Sequence, residues 1–125
     1  MLKRICIVAA IACTLVTPAR AAEGAPSTLD DSLTRLSEIL GALHYLRAVC
    51  ASSEGAKWRS EMQALLDAEA PSGDRRTKMA AAFNRGYRGF QQTYRSCTPA
   101  ADLAIRRYLE EGSKLAREVT ARYAN

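Results

Sequence analysis

Catalytic and metal-binding residue sets are largely missing from these 125 residues. There is one histidine, His44, and no Cys-x-x-Cys pair, so a transition metal would lack its usual nitrogen and sulfur donors. Glycine-rich phosphate loops and a Gly-x-Ser-x-Gly elbow are also missing. The adjacent acids Asp30-Asp31 and Glu110-Glu111 point in different directions on a helix, which is poor geometry for paired acid-base work. No strand-like alternation, internal repeat or low-complexity tract appears. These absences argue against an enzyme, and no catalytic residue, metal or cofactor is expected.

The first apolar run, Ile5 to Val16, follows Lys3-Arg4 and ends before Ala19-Arg20-Ala21. A basic start, a short apolar core and an Ala-x-Ala site read as a signal peptide over residues 1–21, with one domain over 22–125. The run is short for a membrane span; a membrane anchor, or lipidation at Cys13, is the alternative. The chain has 18 basic and 13 acidic residues, an excess of five. Lys3, Arg4 and Arg20 leave with the signal, which holds no acid, so the exported chain keeps an excess of only two. That balance, together with export, argues against nucleic acid as a partner. The four cysteines fall to Cys50 and Cys97, read most economically as a disulfide in an oxidising compartment, with two free thiols as the alternative.

About a hundred residues suffice for one small core. Helix one is expected from Thr28, where Thr28-x-x-Asp31 resembles a capping box, to Cys50, with Leu29, Leu33, Leu36, Leu40 and Leu43 at helical spacing. Ile39 and Leu46 widen that face. Helix two spans Ala56 to Glu69 around Trp58, Met62, Leu65 and Leu66. Helix three begins at Ser72 or Asp74 and runs to about Ser96. Helix four opens at Thr98-Pro99, with Ile105, Leu109, Gly112, Ala116, Val119 and Tyr123 on its apolar line. The expected fold is all-α, a small antiparallel four-helix bundle in which helices one and three run the same way. Cys50 and Cys97 would then meet at one end.

Met79 to Cys97 carries three separate helical lines at about 100° per residue. Phe83, Tyr87, Phe90 and Tyr94 form an aromatic stripe, either core-facing or the wall of a ligand groove, and Phe83 and Phe90 are expected to be buried. Ala82, Gly86, Gly89 and Thr93 form a small-residue line for close helix packing, with a kink at Asn84-Arg85-Gly86 as the rival reading. Arg85, Arg88 and Arg95 form a basic face. Between Arg75 and Cys97 there are six basic residues and no acid. The face is either simply solvated or a docking surface for an anionic partner.

The segments Gly41-Ala42-Leu43-His44-Tyr45-Leu46-Arg47, Trp58, Ala82-Phe83-Asn84-Arg85-Gly86-Tyr87-Arg88-Gly89-Phe90 and Cys97-Thr98-Pro99 together resemble a family of small exported alphaproteobacterial proteins known only as a domain of unknown function. The resemblance implies residence in the periplasm and transfers no activity. The expected function is a periplasmic binding or adaptor module in the cell envelope. Its partner would be an anionic envelope component or a periplasmic protein. The alternative is a small-ligand pocket between helices one and three, using His44, Tyr45, Tyr87 and Arg88.

Overall fold

A computed structural model of the chain describes residues 25–50 and 53–122. The signal-peptide region 1–21, Cys13 and Tyr123 lie outside the described residues. Those described form four helices and no strand: α1 Ala25–Val49, α2 Lys57–Glu69, α3 Gly73–Thr93 and α4 Pro99–Ala121. None of these helices is long and apolar enough to cross a membrane.

The hub is α1. Its buried residues, from Leu33 through Ser37, Ile39, Leu40, Gly41, Ala42 and Leu43 to Leu46, cover about 260° of the helix at 100° per residue. A helix apolar over so wide an arc must be covered on several sides. The one buried hydroxyl on it, that of Ser37, donates to the Leu33 carbonyl at 2.7 Å. Each other helix buries a single stripe: Trp58, Met62 and Leu66 on α2, Met79, Ala82 and Gly86 on α3, and Ala101, Ile105, Gly112 and Val119 on α4. All three pack on α1, α3 most extensively, whereas α4 has no backbone neighbour in α2 or α3.

Residue pairs set the directions. Arg75 meets Asp30 at 2.7 Å near the starts of α3 and α1, and the Cys50–Cys97 disulfide joins their far ends with the Cα atoms 4.7 Å apart. The two helices run the same way. Arg35 pairs with Glu111, and Arg122 donates to Thr28, so α4 runs the opposite way along α1. In a square four-helix bundle α1 and α3 would be diagonal partners and α4 would lie beside α3. Here the diagonal pair is the closest one, and the square is not formed.

Two glycines account for this. A Cβ on Gly86 would lie 2.0 Å from the Glu38 carbonyl oxygen, and one on Gly41 would lie 1.9 Å from that of Phe83. Each glycine therefore receives the backbone of the other helix. The small-residue line is corrected in its second half: Gly89 has open space where a Cβ would be, and Thr93 is exposed, its hydroxyl donating to the Gly89 carbonyl at 2.8 Å. Contact with α1 ends at Gly86 on this line. The helix continues unbroken through Asn84 and Arg85.

Other boundaries differ locally. Helix α1 begins at Ala25, so Thr28 is internal and the expected capping box is not used. Helix α3 ends at Thr93 because Tyr94 turns extended, leading the chain to Cys97. At Thr98 the expected cap is present, its hydroxyl accepting from the Ala101 amide at 3.1 Å, with Pro99 opening α4.

Candidate binding surfaces

The aromatic stripe does not point at the axis of α1. The Met79, Ala82 and Gly86 line does, which leaves Phe83 and Phe90 half-buried on its flank and corrects the expectation that both are buried. His44 lies between Phe83 and Tyr87, with ring centroids 5.8 and 5.5 Å away, and Tyr45 meets Tyr87 edge-on at 5.4 Å. The Tyr45 hydroxyl donates to the Tyr94 carbonyl, fastening α1 to the segment that leaves α3. Phe90 stacks on Tyr94 at 6.0 Å and meets Tyr108 of α4 edge-on at 5.4 Å. The stripe thus splits, one half serving the α1 contact and the other bridging towards α4.

His44, Phe83 and Tyr87 open onto a cleft of about 360 Å³ shared with Arg59, Met62 and Leu66 of α2. Arg88, expected beside them, is elsewhere. With Arg85, Gly89 and Gln92 it lines a depression built from α3 alone, on the outer face of the helix. Arg85 reaches back to Glu38 at 3.7 Å, and Arg95 is exposed beyond the helix end. The structure therefore brings His44, Tyr45 and Tyr87 together and separates them from the three arginines.

Burial, and secondarily the Arg59 charge, hold His44 below its ordinary value near 6.5. Protonated, His44 would be a partly desolvated cation set between Phe83 and Tyr87 and facing Arg59. The unfolded chain binds that proton more readily, so the contribution is complete above pH 6.5 and is lost as pH falls through the lowered folded value. Melting followed from pH 7 to pH 5 should therefore drop more for the wild type than for His44→Gln. Equal slopes would contradict this placement of the imidazole.

An arginine missed by the residue pattern ties α4 down. Arg35 grips Glu111 with two parallel bonds, Nε to Oε1 at 2.7 Å and Nη2 to Oε2 at 2.9 Å, and its guanidinium lies 5.4 Å from the Tyr108 ring. This fork holds the Glu111 carboxyl below the usual carboxylate range. Partners 76 residues apart in the chain show no periodicity that could have revealed them.

A second feature that sequence spacing missed is an apolar groove of about 490 Å³ between α2 and α4. Leu36 and Leu40 of α1 form its floor, Trp58 and Leu65 one wall, and Tyr108 and Leu109 the other. Leu109 and Ala116 belong to the apolar line expected on helix four. Both are exposed, Leu109 at 37%, because they face α2 across a gap that neither helix closes. The signal was present in the apolar line of α4, which is wider than α1 alone can cover.

Residues 28–123, a span reaching from the first turns of α1 past the end of α4, match the family described as "Protein of unknown function (DUF2385)". The chain belongs to this family. No curated protein and no solved structure matches the chain. The disulfide, the reciprocal glycines, the groove and the arginine face all lie within the family's domain.

Proposed function

We propose that the protein is an exported binding module of the cell envelope, held in the periplasm, that seats a single alkyl or acyl chain in the groove between α2 and α4. The observation that carries this reading is the groove itself. Its volume of about 490 Å³ falls within the roughly 300–1,000 Å³ usual for ligand sites, which favour the space between bundle helices. Its floor and walls are aliphatic and aromatic, and Lys57, Glu61 and Ser113 stand where a polar head would remain in water. The rigid floor is supplied by α1, whose side chains are already fixed in the core.

The chain carries its own reporter, since Trp58 is the only tryptophan and lines the groove. Titration with hexanoate, octanoate and decanoate should change Trp58 emission saturably and raise the melting temperature. Affinity should tighten by about 0.8 kcal/mol for each buried methylene. Filling the groove from its rim with Ala116→Phe should abolish the response in a protein that still melts cooperatively. No saturable change with any chain length, or an unaltered response in the Ala116→Phe variant, would refute the reading.

A further inference from the structure

The six basic residues between Arg75 and Cys97 fall into two groups. Arg75, Arg76 and Arg85 each meet a carboxylate of a neighbouring helix, at Asp30 (2.7 Å), Asp67 (3.7 Å) and Glu38 (3.7 Å). Lys78, Arg88 and Arg95 are exposed and have no carboxylate in salt-bridge range among the described residues. At the edge of this face, next to Arg85, is Gly89. A Cβ there would meet nothing within 4 Å, so the fold gives no reason for a glycine in mid-helix, where alanine would be more stable. Gly86, one turn earlier, is fully explained by the backbone of α1. Gly89 bares its own backbone to the outside, flanked by Arg85, Arg88 and Gln92 over a depression of about 510 Å³.

We propose that this outer face of α3, with Gly89 at its edge, docks a carboxylate-bearing helix of a protein partner. The unpaired cations supply the charge complementarity, and the missing side chain at Gly89 lets a second backbone come close beside Arg85. A bilayer surface fits less well, because a membrane-lying helix needs large apolar side chains on its buried face. This face offers Ala81, Asn84, Gly89 and Gln92 instead, the aromatics of α3 being turned towards α1 and α4. The inference is independent of the groove, which lies on the α2–α4 side.

The test uses an alanine-based helical peptide with glutamates at three- and four-residue spacing, alongside phosphatidylglycerol vesicles, against wild type, Arg88→Glu and Gly89→Leu. A Cβ at Gly89 has open space and leucine favours a helix over glycine, so the leucine variant should fold, which a cooperative melt checks. Saturable, salt-weakened peptide binding is expected, at least tenfold weaker in Arg88→Glu and at least tenfold weaker in Gly89→Leu despite its unchanged charge. Failure of the peptide to bind, or preference for vesicles, would overturn the proposal. So would loss in Arg88→Glu with Gly89→Leu unaffected, since that is charge attraction without a seat.

Discussion

Gly86→Ala should destabilise the fold by about 2–3 kcal/mol, lowering the melting temperature by roughly 10–20 °C for a domain of this size. Alanine improves helix propensity by about 1 kcal/mol, so the steric penalty must exceed that gain. It does so because the new methyl would sit 2.0 Å from the Glu38 carbonyl oxygen, an obstacle made of backbone that cannot rotate away. Gly41→Ala should behave alike, with its methyl 1.9 Å from the Phe83 carbonyl oxygen. The two substitutions strain one shared contact, so the double variant should lose less than the sum of the singles. Gly89→Ala is the control: with open space around it, it should be neutral or stabilising by up to about 1 kcal/mol. Thermal melts of the four variants check the whole pattern. Equal effects at Gly86 and Gly89 would mean that α1 and α3 are not in backbone contact.

Opening the disulfide should have the largest effect. Cys50 and Cys97 are 47 residues apart in sequence, and closing a loop of that length stabilises by about 4 kcal/mol in the chain-entropy model. Replacing both cysteines by serine, or reducing the bridge, should therefore lower the melting temperature by roughly 15–30 °C. The position of the bridge sharpens the effect. It fixes the ends of α1 and α3 and delivers the chain directly to the Thr98 cap of α4, a helix whose backbone neighbours α1 and neither of the other two helices. Loosening it should release α4 first, which hydrogen exchange would report as early loss of protection across Pro99–Ala121. A melting curve unchanged by reductant would contradict this.

The helices and the covalent staple were legible in the residues for plain reasons. Apolar spacing along α1 named its core side chains, Pro99 and Thr98 marked the start of α4, and two cysteines left by an expected signal cleavage had only each other. Relative placement of the helices was harder to read. Periodicity tells which face of a helix is apolar but not which partner covers it, so the aromatic stripe reads as core-facing or as a groove wall, whereas Met79, Ala82 and Gly86 are the buried residues of α3. Gly41 escaped notice because its role appears only opposite Phe83. The groove was hidden for the same reason: Leu109 and Ala116 continue a regular apolar line, and only the absence of a closing neighbour exposes them. The arginines formed one cluster in sequence, but Asp30, Asp67 and Glu38 divide them in space.

The apolar gap between α2 and α4 is the proposed ligand site. Amide and indole chemical-shift mapping by NMR during decanoate titration tests it most directly. The perturbed signals should be those of Trp58, Ala64, Leu109, Ser113 and Ala116, with His44, Asn84 and Tyr87 unmoved. Shifts centred on His44, Asn84 and Tyr87, or no saturable shift at all, would contradict it.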